Sequence, residues 1–171
     1  MPPTSPLLFR MAGERDAADV VRVRVAAARA LTATFGTGPW SGESTERGMV
    51  SGLRDADIVL ATRDDVAVGT FRLSTRKPWA IDRAYFTRAT RPLYLTDMAV
   101  HPAAQRQGVG RALLAYVDTL ARPYGADAIW LDAYDAAAGA GNFYAACGYR
   151  ECGRRSYRDT PLVYFERRLI P

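Results

Sequence analysis

Lysine is almost missing from this chain: Lys77 is the only one, and arginine carries the rest of the positive charge. The arginines are scattered, with no basic run interleaved with aromatics, so a net charge of +5 does not read as a nucleic-acid surface. It fits a general attraction for a small polyanion equally well. Histidine is nearly absent too, with His101 alone, and the two cysteines, Cys147 and Cys152, are separated by four residues around a Gly-Tyr turn. That is neither a redox pair nor zinc spacing, so no metal is expected. No apolar run is long enough to cross a membrane, and Met1–Pro6 has neither the basic start nor the apolar stretch of a signal peptide. The expectation is a cytoplasmic protein that binds neither membrane nor nucleic acid.

What is present is one domain's worth of core: 171 residues, 49% of them apolar. No repeat, low-complexity tract or linker divides the chain, so residues 1–171 are expected to fold as a single domain. Leu7–Met11 reads as a strand. Asp16 and Asp19 then sit like a cap and its third-position acid, ahead of a helical stripe Val21, Val25, Ala28, Thr32, Phe35 that runs to Gly36. The Val20–Val25 alternation fits a strand as well. A loop with Trp40 leads to a short helix over Glu43–Leu53. Asp57–Arg63 and Val66–Arg76 form a hairpin through Asp64-Asp65, with Gly69 marking a bulge or a close approach. Lys77–Arg91 is an irregular stretch carrying Trp79, Tyr85 and Phe86, either a substrate wall or a surface crossover.

Leu93–Val100 is a strand, and Val109, Leu113 and Leu120 recur at helical spacing within Gly108–Tyr124. Ala128–Tyr134 is a strand with Ile129, Leu131 and Ala133 on one face and Trp130, Asp132 and Tyr134 on the other. A helix carrying Phe143-Tyr144 ends at Gly148, and strands near Tyr149–Tyr157 and Leu162–Leu169 close the chain across Arg158–Pro161. The pattern is α/β with antiparallel hairpins at both ends.

Between a strand and an amphipathic helix lies Gln105-Arg106-Gln107-Gly108-Val109-Gly110. Free amides at a helix N-terminus suit a pyrophosphate, glycines let the backbone approach it, and Arg106 and Arg111 add charge. A Walker A loop is excluded because no lysine or hydroxyl follows Gly110. A dinucleotide fingerprint fits badly because Leu113 stands at its third small position. The remaining alternative is a pair of glycines that merely turns strand into helix.

Leu95-Thr96-Asp97-Met98-Ala99-Val100-His101-Pro102 followed by Gln105-x-x-Gly108-x-Gly110-Arg111 resembles motif A of the GCN5-related N-acetyltransferases. Phe143-Tyr144-Ala145-Ala146-Cys147-Gly148-Tyr149, about thirty-five residues downstream, is similar to that family's Phe-Tyr-x-x-x-Gly-Phe segment. The resemblance spans nearly the whole chain. It implies a mixed, mostly antiparallel sheet of six or seven strands, splayed at its centre and flanked by helices. It also implies acetyl-CoA as co-substrate and transfer of its acetyl group to a primary amine, on a small molecule or a peptide.

Carried over residue by residue, the resemblance places the coenzyme's pantetheine arm along Met98, Ala99 and Val100. Its phosphates fall on Gln105, Arg106, Gln107, Gly108, Val109, Gly110 and Arg111. Tyr144 becomes the general acid and Asp97 the general base, with Asp132 and Asp135 as substitutes. His101 matches the start of the phosphate loop better than a catalytic position. Ala137 stands where the family often has an asparagine that contacts the arm, and Asn142 is about 200° away from Tyr144 on a helix, so it is no replacement. Aromatic residues Trp40, Trp79, Tyr85, Phe86 and Tyr134 are candidates to line the acceptor pocket, with Asp97 or Asp135 pairing an ammonium. The rival reading is a non-catalytic acyl-CoA sensor of the same fold, and a homodimer is left open as the assembly.

Overall fold

The computed structural model describes residues 5–169, so Met1–Thr4 of the opening segment lies outside the described residues. The strands are β1 (Leu8–Met11), β2 (Asp57–Arg63), β3 (Val66–Ser74), β4 (Pro92–Val100), β5 (Ala128–Tyr134), β6 (Arg150–Tyr157) and β7 (Thr160–Arg168). They form one sheet in the order β1-β2-β3-β4-β5-β7-β6. Every neighbouring pair is antiparallel except β4 with β5. The helices are α1 (Ala17–Phe35), α2 (Glu46–Gly52), α3 (Val109–Ala121) and α4 (Gly141–Ala146).

The parallel pair is the feature that matters. β4 and β5 are in register only at Pro92–Ala128, Leu93–Ile129 and Tyr94–Trp130, and then diverge. Beyond Tyr94 the two strands leave a gap in the middle of the sheet, the splay the resemblance implies. The two hairpin turns hold the halves in shape. Asp64 and Asp65 both take positive φ (50° and 60°), as do Arg158 and Asp159 (47° and 64°), which is the twist-matched two-residue turn. The second turn is thus tighter than Arg158–Pro161, and β3 stops at Ser74, whose hydroxyl donates to the Asp55 carbonyl at 2.7 Å.

The core has three parts. Leu93, Leu95, Ile129, Leu131 and Ala133 pack under α3 and α4 with Leu113, Val117 and Tyr144. Val20, Val23 and Met49 of α1 and α2 cover Ile58 and Leu60 on the opposite face. Next to that patch, Ile81 and Phe86 of the β3–β4 connection cover Tyr94, Trp130 and Tyr164. The irregular stretch is therefore a packed cover. Thr87 anchors it by donating its amide and hydroxyl to the buried Glu166 carboxylate, which also pairs with Arg150.

Three local expectations are corrected. Asp16 does not cap the helix with Asp19; its carboxylate accepts from the Gly13 amide at 2.8 Å and from both terminal nitrogens of Arg10. The buried stripe of α1 is also different from the expected one. Ala17, Val20 and Val23 are buried, while Phe35 is exposed, so the helix rests on the sheet through a face rotated from the Val21–Phe35 line. α2 is shorter than Glu43–Leu53, because the Thr45 hydroxyl accepts from the Gly48 amide and starts it late.

Gly69 answers to both readings, since the β2–β3 register slips beside it at the unpaired Val68 and α3 approaches it closely. A Cβ there would sit 2.8 Å from Leu113 Cδ1, so its absence lets α3 seat against β3.

Candidate active site

The gap between β4 and β5 opens into two adjoining chambers. One, about 400 Å³, is lined by Ala99, Val100, Gln105, Arg106, Gly110 and Phe143, and points toward the α3 N-terminus. The other, about 370 Å³, is lined by Thr96, Asp97, Asp132, Ala133 and Tyr134. Leu31, Met98, Ala138, Ala140 and Tyr144 line both.

At the α3 end, Arg106 and Gly108 both adopt left-handed φ (60° and 80°), which curls the loop so that its amides converge. The first intrahelical bond runs from the Ala112 amide to the Gly108 carbonyl at 3.0 Å. The amides of Val109, Gly110 and Arg111 precede it and have no acceptor within the helix. A Cβ on Gly108 would meet nothing within 4 Å, whereas one on Gly110 would press to 2.9 Å from the Phe143 ring. Gly108 is thus needed for its conformation and its open side, and Gly110 for packing against α4. The residues present therefore fit a pyrophosphate through backbone amides.

Side chains of the same loop are largely committed elsewhere. Val109 is buried in the core, and Gln107 braces the loop between Arg63 (2.7 Å) and the Ala103 carbonyl (2.9 Å). Arg111 reaches the Ala146 carbonyl at 3.4 Å. His101 accepts the Ala103 amide at 3.2 Å and starts the turn into the loop. Its own amide bonds the Val68 carbonyl, so strand alternation turns the backbone of Val100 toward the gap. The Val100 carbonyl there accepts from Gln105 Nε2 at 3.2 Å.

β4 carries a bulge where the chambers meet. Thr70 pairs with Ala99 and Arg72 with Thr96, so Asp97 and Met98 together oppose Phe71. Asp97 takes φ 51°, a left-handed conformation that Asp tolerates better than most residues. Its carboxylate is half-exposed and lies 3.8 Å from Nη1 of Arg24.

Asp132 comes from the facing strand. Burial pushes its carboxyl above the usual range, and the negative charge of Asp97 pushes the same way. Tyr134 stands beside it, with its hydroxyl donating to the Pro39 carbonyl at 3.2 Å and its ring edge-on to Trp40 at 5.8 Å.

Tyr144 is buried at the junction. Its hydroxyl meets only the thioether sulfur of Met98, at 3.7 Å, a weak acceptor. Burial raises the phenol well above its ordinary range, so it is protonated at neutral pH. α4 begins late, at Gly141, because the preceding segment is a tight turn in which a Cβ on Gly139 would collide with the Tyr134 carbonyl. Ala137 offers no side-chain donor there.

Trp40, Trp79, Tyr85, Phe86 and Asp135, all expected at the acceptor pocket, line neither chamber. Trp79 is 84% exposed on the β3–β4 cover, beside Lys77 and Arg155. Asp135 is engaged by Arg154 at 2.7 Å. Tyr85 and Phe86 likewise belong to the cover, where they pack on Tyr164. Conversely, Leu31, Thr96, Ala138 and Ala140 line the site although sequence reasoning assigns them no part in it. They are small or apolar residues that carry no chemical signature in one dimension.

The family model described as Acetyltransferase (GNAT) family matches residues 26–149. The chain belongs to this family. No curated protein matches it in a sequence search. Solved structures share the fold at low identity. A GNAT-family acetyltransferase from Listeria monocytogenes superposes with a TM-score of 0.74 at 15% identity, covering 95% of each chain. The protein yncA from Salmonella typhimurium, solved with its cofactor acetyl-CoA, gives 0.69 at 16% identity over 96% of this chain and 94% of that one. PaiA N-acetyltransferase from Thermoplasma acidophilum, in complex with coenzyme A, gives 0.70 at 13% over 96% and 99%. The splayed seven-stranded sheet is that of the GNAT fold. Among the described residues no helix is long and apolar enough to cross a membrane, and no group of three acids, histidines or cysteines converges as metal ligands would.

Proposed function

We propose that this GNAT protein transfers an acetyl group from acetyl-CoA to a primary amine by direct attack of the amine on the thioester. The observation that carries this reading is the meeting of the two chambers at Met98 and Tyr144. One leads to the converging amides of Arg106–Arg111 and the other to the paired carboxylates. When bound, acetyl-CoA supplies an acyl group already activated as a thioester. The chain must then bring an amine to it, accept the amine's proton and stabilise the departing sulfur.

Asp132 is the better-placed proton acceptor. An alkylammonium has a pKa roughly three units above neutral, and a carboxylate whose own pKa is raised narrows that gap. Asp97, on the bulge, is more exposed and sits beside a guanidinium, which favours a role in attracting and orienting the amine. Tyr144 lines both chambers and would meet the departing sulfur at their junction. A phenol is already a weaker acid than a thiol and burial weakens it further, so Tyr144 would give the departing thiolate a hydrogen bond, with the proton completed from solvent.

The test is thiol release from acetyl-CoA over a panel of primary amines. Amine-dependent release supports the reading. Tight acetyl-CoA binding with no release for any amine would transfer it to the sensor alternative.

A further inference from the structure

A third hollow, about 330 Å³, lies at the closed end of the splay, where β4 is still paired with β5. A strand rises about 3.3 Å per residue, so Tyr94 in this hollow is roughly 20 Å along β4 from Val100 in the first chamber. Two arginines, two threonines and two tyrosines line it: Arg83, Arg91, Thr75, Thr90, Tyr94 and Tyr124. Among the described residues no carboxylate lines it.

The acids of the surrounding segments are committed to other donors. Asp55 pairs with Arg76, Asp82 with Arg155, and Asp57 accepts from the Tyr124 hydroxyl. Asp127 accepts the Thr90 and Arg91 amides at 2.6 and 2.9 Å, which fixes the backbone from which both side chains leave. Among the described residues neither Arg83 nor Arg91 makes a salt bridge. Arg83 lies over the Trp130 ring, 5.6 Å from its centroid, and Tyr94 meets the same ring edge-on at 5.9 Å. Tyr94 is only 3% exposed, yet its hydroxyl has no hydrogen-bond partner among the described residues. Burial raises this phenol above its ordinary range and the Arg83 charge draws it back, so at neutral pH it is a protonated donor.

Two guanidiniums without counter-ions beside an unpartnered hydroxyl call for an anion with more than one charge and several acceptors. A carboxylate brings one charge and two oxygens. A phosphoryl group brings about −1.5 to −2 and three strong acceptor oxygens, which suit guanidinium donors. The hollow is at the small end of the range for ligand pockets, so its occupant is a small molecule.

We propose that this hollow binds a small phosphate monoester, with the phosphoryl group held by Arg83 and Arg91 and receiving hydrogen bonds from Tyr94, Thr75 and Thr90. The site is separate from the acetyl-CoA chambers and does not depend on the acyltransfer reading. Its occupant joins the end of β3, the β3–β4 cover, the start of β4 and the turn after α3.

The experiment is calorimetry and thermal shift on the full chain with saturating coenzyme A, so that any site at the glycine loop is already filled. Glycerol 3-phosphate and inorganic phosphate are the probes, with succinate as the carboxylate control. Glycerol 3-phosphate at a hundredfold excess over its Kd raises Tm by about 5–10 °C. Arg83→Gln and Arg91→Gln, both at exposed positions, each weaken its binding roughly 10- to 100-fold and leave coenzyme A affinity unchanged. Tyr94→Phe keeps the ring and weakens binding about tenfold. Tighter binding of the ester than of inorganic phosphate upholds the assignment, and equal or tighter binding of inorganic phosphate overturns the ester. Absence of binding, binding that neither arginine variant weakens, or succinate bound as tightly overturns the site as a phosphoryl site.

Discussion

Replacing Asp132 by asparagine separates catalysis from stability, because the two should move in opposite directions. The carboxyl lies on β5 in the acceptor chamber, largely buried and close enough to Asp97 for like-charge repulsion. Both effects raise its pKa in the folded chain. A group with a raised folded pKa contributes stability that is fully present below its unfolded value, about 3.9 for Asp, and is lost as pH rises through the folded value. At neutral pH the ligand-free protein therefore carries a buried charge that the unfolded chain solvates better. Every tenfold weakening of the acid on folding corresponds to about 1.4 kcal/mol, and 1 kcal/mol moves Tm by about 2–4 °C in a domain of this size. Asp132→Asn should raise Tm at pH 7 by a few degrees, with the gain shrinking to nothing as pH falls toward about 4. The same change removes the proton acceptor, so kcat/KM should drop about 10²- to 10⁴-fold, the usual worth of a general base. Thermal melts across pH and thiol-release kinetics measure the two effects. Asp97→Asn is the control: it keeps a short polar side chain on the left-handed bulge and should cost less in kcat than Asp132→Asn. A variant at Asp132 that is less stable at pH 7 than wild type would refute the electrostatic reasoning. One with unchanged kcat/KM would move the base elsewhere.

Tyr144→Phe keeps the ring and its packing against Phe143, Tyr149 and Phe165 and removes only a hydroxyl whose partner is a thioether. It should lower kcat by roughly 10- to 100-fold with little change in Tm or in KM for acetyl-CoA; equal turnover would make the phenol structural. Gly108→Ala and Gly110→Ala should divide binding from folding. The first costs about 1–2 kcal/mol of left-handed strain and abolishes most coenzyme A affinity by calorimetry. The second lowers Tm mainly by pushing the Phe143 ring. Retained affinity in Gly108→Ala would mean that the loop is only a turn.

The glycine loop ahead of α3 and the Phe143-Tyr144 helix were legible in the sequence because each is shaped within one turn of chain. Glycine conformations, helix-end amides and their spacing are local properties, and so were the two-residue Asp64-Asp65 turn and the alternation of Ala128–Tyr134. Tertiary structure decided which carboxylate faces the chamber, because Asp97, Asp132 and Asp135 are equivalent acids until β4 and β5 part after Tyr94. It removed Trp79 and Asp135 from the chambers, since packing of the β3–β4 cover and the Arg154 pair are contacts between distant residues. It also placed Arg24. An apolar stripe is what marks the inner face of α1 in one dimension, and an arginine on the buried face interrupts any such stripe. Which face of a helix is buried depends on the sheet beneath it, and that surface exists only once seven strands from both ends of the chain have come together.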